Sequence, residues 1–241
     1  MSESLDGRVV VVSPHLDDAA ISLGAAIACA ARRGAQVEVL TVFAGDPDSD
    51  APARGWDTRG GFGTEGEAAR ARREEDRAAF ALLGASVTWL PFGDEQYDRH
   101  GGEDEVWRAV ADAVAEADSV LVPGFPLTHA DHAWLSELLV RRGLPSGRMG
   151  VYVEQPYADR VRKTQPRPTV SPVLSSDTIS WSRLHARTVD RRAKRKALAA
   201  YRSQVGLLNL SPGVGSRLDR MLWREFVHGG EAVAWLNGRT A

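Results

Sequence analysis

One histidine and two aspartates stand within four residues in Ser13-Pro14-His15-Leu16-Asp17-Asp18, and two histidines flank an aspartate in Thr128-His129-Ala130-Asp131-His132. Three of the chain's six histidines fall in these two short segments. Imidazole nitrogens and carboxylate oxygens suit zinc, whose catalytic sites use about three protein ligands plus a water. His15 and Asp18, joined by His132, would supply such a mixed set. Asp17, His129 and Asp131 would then remain for proton transfer. Zinc lowers the pKa of a bound water to about 7 and polarises a carbonyl, and a carboxylate that does not bind the metal can take the water's proton. Spacing alone does not decide which aspartate binds metal. A lone Asp-Asp pair before a helix can instead act as an N-cap, and a His-x-x-His turn can be two hydrogen-bonded loop histidines. The two clusters together favour a metal site.

For the clusters to meet, two strand ends must lie side by side. Arg8 to Ser13 carries four consecutive valines, the pattern of a parallel strand buried on both faces. It runs directly into the His15 cluster. Ala19 to Arg32 predicts a helix with Gly34 as C-cap. Val37 to Phe43 predicts a second strand, and Glu65 to Leu83 a helix closed by Gly84. Ser86 to Leu90 is a third strand, Glu103 to Glu116 a helix, and Ser119 to Val122 a fourth strand that leads to the His129 cluster. His132 to Arg142 is a helix and Gly150 to Val153 a fifth strand. The alternation predicts an α/β fold: an open, mostly parallel sheet with helices on both faces. Sites in such sheets gather at the carboxyl ends of the strands.

Residues 1–241 read as a single domain. Two long excursions interrupt the rhythm, residues 44–63 with Trp56 and Phe62 inside, and residues 155–180, rich in proline. Loops of that length in a compact domain are usually functional or mobile. Residues 183–228 read as a helical C-terminal region, with helices over Arg183 to Gln204 and Arg217 to Val227. The basic residues from Arg183 to Lys196 read as a solvated helix face. Net charge is -2, which calls for neither nucleic acid nor a membrane surface. The first eight residues lack the basic region of a signal peptide, and no apolar run approaches the roughly 18 residues that span a bilayer. Cys29 is the one cysteine and has no partner for an internal disulfide. The expectation is a cytoplasmic protein with a small-molecule partner, with homo-oligomerisation left open.

The motifs resemble those of the PIG-L/LmbE-like family of zinc-dependent N-deacetylases. That family's Pro-His-Pro-Asp-Asp-Glu is matched by Pro14-His15-Leu16-Asp17-Asp18-Ala19, and its His-x-Asp-His by His129-Ala130-Asp131-His132. An Arg-x-x-Glu helix ending in Leu-Gly is matched by Arg72 to Glu75 and Leu83-Gly84. A later Lys and Ser-Gln pattern is matched by Lys196 and Ser203-Gln204. The resemblance covers roughly residues 8 to 205. It implies a Rossmann-like fold, with zinc held by His15, Asp18 and His132 and Asp17 as general base. It implies that His129 stabilises the oxyanion or protonates the leaving amine, with Asp131 orienting its ring. Arg72 and Asp94 resemble positions that hold substrate hydroxyls. On residue chemistry alone Arg72 can equally pair with Glu75 or Asp76, and Asp94 can be a turn residue.

Leu16 replaces the family's usual proline, and Ala19 its usual glutamate. The lost glutamate removes a group behind the ligands, where partners can matter 10- to 100-fold, and it puts the typical substrate in question. The implied reaction is removal of an N-acetyl or other N-acyl group from a small, amino-sugar-containing metabolite. An amidase for a non-sugar metabolite would use the same site with different walls, and a non-catalytic binding protein would keep only the fold. Trp56, Phe62 and Tyr157 could stack on sugar faces or simply pack. A phosphoacceptor signalling domain leaves His129 and His132 unexplained, and a dinucleotide-binding dehydrogenase lacks Gly-x-Gly-x-x-Gly after the first strand.

Overall fold

The computed structural model describes residues 2–98, 101–158, 179–211 and 213–236. Its strands are β1 (Ser2–Glu3), β2 (Arg8–Ser13), β3 (Gln36–Thr41), β4 (Ser86–Trp89), β5 (Ser119–Phe125), β6 (Arg148–Val153), β7 (Ser182–Leu184) and β8 (Ala232–Trp235). The helices are α1 (Asp18–Arg32), α2 (Gly55–Arg59), α3 (Glu65–Leu83), α4 (Glu103–Val114), α5 (Ala130–Arg142), α6 (Thr188–Leu198), α7 (Arg202–Val205) and α8 (Arg217–Val227). All eight strands join one sheet in the order β1-β7-β8-β6-β5-β2-β3-β4. Pairing is parallel from β4 through β6, while β8 runs antiparallel to both β6 and β7.

The four valines of β2 explain the layering. Successive side chains of a strand point to opposite faces. Val9 and Val11 pack in one core with Leu23, Ile27, Phe80 and Leu198, whereas Val10 and Val12 pack in the other with Val110, Leu135 and Leu139. Helices α1, α3 and α6 therefore cover one face, and α4 and α5 the other. Local chemistry fixes the helix ends. Thr64 and Glu67 form a capping box at the start of α3, and Gly84 closes it in the left-handed conformation.

The C-terminal region departs from the expectation. Arg183 lies in strand β7, and the predicted helix over Arg183 to Gln204 is two helices, α6 and α7. Tyr201 is buried between them with its hydroxyl on Asp76 (2.8 Å), a tertiary bond that draws the chain off the helical path. Nor is the basic run wholly solvated. Lys194 is buried, and its ammonium donates to Glu225 (2.8 Å) and Glu231 (2.6 Å). The sequence spacing places Lys194 on the side of α6 that meets α1, where the absence of a side chain at Gly24 admits its stem. Among the described residues no helix is long and apolar enough to cross a membrane. Of the predicted 155–180 excursion, residues 159–178 lie outside the described residues.

Candidate active site

Strands β2 and β5 are neighbours, so the turn after β2 and the start of α5 meet at one sheet edge. Ser13 shapes the turn after β2: its hydroxyl donates to the His15 carbonyl (2.7 Å) and accepts from the Ala19 amide (3.1 Å). His132, within the first turns of α5, is buried beside it.

Three side-chain atoms then converge. His15 Nδ1 lies 3.1 Å from His132 Nε2 and 3.3 Å from Asp18 Oδ2, and Asp18 Oδ2 lies 3.1 Å from His132 Nε2. Each ring turns its other nitrogen to a carboxylate. His15 Nε2 meets Asp131 Oδ2 at 3.1 Å, and His132 Nδ1 donates to Glu154 Oε1 at 2.6 Å. Tetrahedral ligands about 2.0–2.1 Å from a zinc would stand about 3.4 Å from one another, and metal-bound histidines commonly donate their outer N–H to a carboxylate. The donor set and its spacing fit a divalent metal. A looser set, His15, His129 and His132, also brings its donors within 4.8 Å, as does His15 with Asp94 and Asp131. The triangle that includes Asp18 is the tighter one.

The electrostatics favour positive charge at this point. Burial lowers the pKa of His15, yet hydrogen bonds to Asp131 and Asp18 overcome it and carry it up to about 9. His132 is likewise penalised by burial and driven well above its ordinary value by Asp18 and Glu154. Asp18 is disfavoured as an anion by burial, but His132 and His15 hold it well below the usual carboxylate range. The same carboxylates that draw protons onto the rings would stabilise a metal in their place.

Asp17 behaves differently. It occupies the N-cap position of α1 without making a capping hydrogen bond, and its φ of 135° is unusual for a residue with a side chain. Such backbone costs of order 1–3 kcal/mol and clusters at functional sites. The capping alternative for the Asp-Asp pair therefore fails at Asp17. Asp17 lines the cleft, and burial together with Asp18 raises its pKa well above the ordinary range.

His129 caps α5, its Nδ1 accepting from the Asp131 amide at 3.3 Å. That bond fixes the proton on Nε2. Burial, then the neighbouring His15 and His132, press its pKa down to about 4. Asp131 lies 3.8 Å from His129 Nδ1, and its close ring contact is with His15 instead. The expected carboxylate support is thus found behind a different histidine. Asp94 caps a short 3-10 turn, with its two oxygens on the amide and side chain of Gln96 (3.0 and 2.7 Å), and burial raises its pKa. Arg72 pairs with neither Glu75 nor Asp76. Its guanidinium meets Asp57 of the 44–63 loop at 2.5 Å, while Nε and Nη2 are buried without a hydrogen-bond partner.

His15, Asp17, Asp18, His129 and Asp131 line a cleft of about 500 Å³. Leu16, Phe43, Arg72 and Asp94 line it, with Gly55, Trp56 and Arg59 from the first long loop and Pro156 and Tyr157 from the start of the second. Glu154 was not legible as a site residue. It follows the apolar stretch Val151 to Val153, and its one sequence signal was an acid at the carboxyl end of a buried strand.

The chain is similar to several known proteins. The sequence profile described as GlcNAc-PI de-N-acetylase matches residues 10–142. The chain is 30% identical over 177 residues to the 2'-N-acetylparomamine deacetylase of Streptomyces fradiae, covering 63% of this chain and 58% of that protein. It is 34% identical over 121 residues to the 4-oxalmesaconate hydratase of Pseudomonas putida, covering 50% and 43%. The matched segments thus span about half the length of these curated relatives. Among solved structures, the A40926 pseudoaglycone deacetylase superposes with a TM-score of 0.74 at 27% identity, covering 96% of this chain and 97% of that one.

Proposed function

The chain belongs to the PIG-L (GlcNAc-PI de-N-acetylase) family, and on that premise we propose that it is a zinc-dependent N-deacetylase acting on a small, amino-sugar-containing metabolite. The observation that carries the reading is the triangle of His15, Asp18 and His132 donors, each pair within 3.3 Å and each ring backed by a carboxylate. We assign the metal to these three residues. A bound zinc supplies Lewis-acid polarisation of the amide carbonyl and acidifies a water to about 7.

The remaining chemistry falls to the chain's own side chains. Asp17 takes the proton of the attacking water. His129 presents Nε2–H to the carbonyl oxygen as it gains charge. Because its Nδ1 is engaged as an acceptor, loss of the Nε2 proton would leave an imidazolate, so His129 is a donor of a hydrogen bond and not of the proton itself. Asp17 therefore carries its proton to the departing nitrogen as the C–N bond breaks. Asp131 and Glu154 hold the two ligand rings. Arg72 and Asp94 face the cleft where substrate hydroxyls would lie.

The similarity to deacetylases for 2'-N-acetylparomamine and A40926 pseudoaglycone supports an N-acylated amino sugar, of the N-acetylglucosamine kind, as the substrate class. The hydratase relative supports a second reading, in which the same groups deliver water to a carbon–carbon double bond. Incubation of the zinc-loaded protein with a panel of N-acetyl amino sugars, N-acetyl amines and unsaturated diacids separates the two. Release of acetate with a free amine supports the first reading. Hydration without acetate release replaces it.

A further inference from the structure

Several sequence features take no part in the chemistry above: Glu75 of the Arg-x-x-Glu helix, the Ser203-Gln204 pair, and the aromatic residues of the first long loop. The structure joins them. Trp56 borders the cleft, and two glutamines hold it. Its backbone N–H donates to Gln96 Oε1 at 3.0 Å, and its indole Nε1–H donates to Gln204 Oε1 at 2.7 Å. The preceding Gly55 sits at φ 41°, where a Cβ would stand 2.9 Å from that same Gln96 oxygen. Gln96 is braced in turn by Asp94. Gln204 is 6% exposed and lies on α7, which is tied to α3. The Ser203 amide and hydroxyl donate to the Glu75 carboxylate at 2.9 and 2.7 Å. A chain of side-chain bonds thus runs from Glu75 through the Ser203-Gln204 turn to the indole of Trp56.

An aromatic side chain on a glycine- and proline-rich loop ordinarily loses rotamer freedom when a ligand binds, at a cost to affinity. Here the indole is fixed beforehand, the arrangement by which binding sites gain affinity through preorganisation. We propose that Trp56 is a fixed platform against which the ring of the substrate's amino sugar lies, and that Gln204 is the positioning residue that sets the platform's orientation. The inference rests on the reading of the site given above for the choice of substrate class, but its test does not depend on turnover.

The test is an NMR titration of the zinc-loaded protein with N-acetylglucosamine and with the acyclic N-acetylethanolamine, for the wild type and for Trp56→Ala, Trp56→Phe, Gln204→Leu and Gln204→Glu. Trp56→Ala should weaken N-acetylglucosamine binding about 3- to 10-fold, the range of an aromatic contact, and leave the acyclic probe unaffected. Gln204→Leu should weaken the sugar selectively, whereas Gln204→Glu, which keeps an oxygen facing the indole, should restore it. Adding Gln204→Leu to Trp56→Phe, which already lacks the N–H, should cost nothing further. In steady-state assays these changes should raise KM and leave kcat in place. Equal losses on both probes, a Gln204→Glu variant as damaged as Gln204→Leu, or a wild type that binds no N-acetylglucosamine would overturn the proposal. Selective, Trp56-dependent sugar binding without acetate release would instead support the platform and reject the deacetylase reading.

Discussion

Glu154 accepts a 2.6 Å hydrogen bond from Nδ1 of His132 and thereby turns His132 Nε2 toward Asp18 and His15. The family glutamate replaced by Ala19 is therefore not the sole carboxylate available behind the ligands, since Glu154 and Asp131 each back one ring. Replacing Glu154 by Gln removes the charge while keeping the size. Zinc affinity, measured by competition with a chromogenic chelator, should fall by about 10- to 100-fold. Unchanged affinity would remove Glu154 from the metal site.

The ion pair between Arg72 and Asp57 ties the 44–63 loop to α3, and Tyr97 adds a 2.6 Å hydrogen bond to the same carboxylate. Breaking one partner of a buried pair leaves an uncompensated charge, at a cost of about 3–5 kcal/mol. Asp57→Ala should therefore lower the stability in denaturant titrations by that order and expose the loop to protease. The double variant Asp57→Ala/Arg72→Met should recover part of the loss. A double variant less stable than Asp57→Ala alone would contradict this account of the loop's anchor.

Asp76 carries a pH dependence that can be read apart from catalysis. Burial pushes its pKa up to about 6, against the opposing hydrogen bonds from Trp89 and Tyr201. A folded pKa above the unfolded value means that the native state holds the proton more tightly. The resulting stability is fully present below the unfolded value of 3.8 and is lost as the pH rises through about 6. Between pH 5 and 7 the wild type should lose about 1 kcal/mol relative to Asp76→Asn, the integral of a shift of this size over that window. Parallel stability curves for the two proteins would refute the assignment.

Much of the architecture could be read from local pattern. The four valines of β2 announce burial on both faces, and Gly84 marks the end of α3. The two histidine clusters mark the sheet edge where they meet. The long 44–63 loop stands out in the sequence as an excursion, and its Gly55, Trp56 and Arg59 line the cleft. What escaped depends on distant partners. Strands β1, β7 and β8 are two to four residues long, too short for a periodic signal, and β8 is ordered by antiparallel pairing with β6 and β7 from across the chain. The break between α6 and α7 follows from bonds that Tyr201 and Ser203 make to Asp76 and Glu75, more than a hundred residues away in sequence. Lys194 gave no sign of burial because the two glutamates that neutralise it arrive later in the chain.

The division of labour between Asp17 and Asp18 is the centre of the account, and one pair of variants tests it. Asp18 points its Oδ2 at both His15 and His132, whereas Asp17 lines the cleft from a strained backbone with no capping bond. Asp17→Asn should retain one zinc per chain while kcat for acetate release falls by about 10²- to 10⁴-fold, the usual contribution of a general base. Asp18→Ala should lose zinc. The decisive measurement is zinc content by plasma emission alongside kcat in both proteins. Zinc retained by Asp17→Asn with the expected fall in turnover supports the assignment, and zinc lost from Asp17→Asn but kept by Asp18→Ala would reverse the two roles.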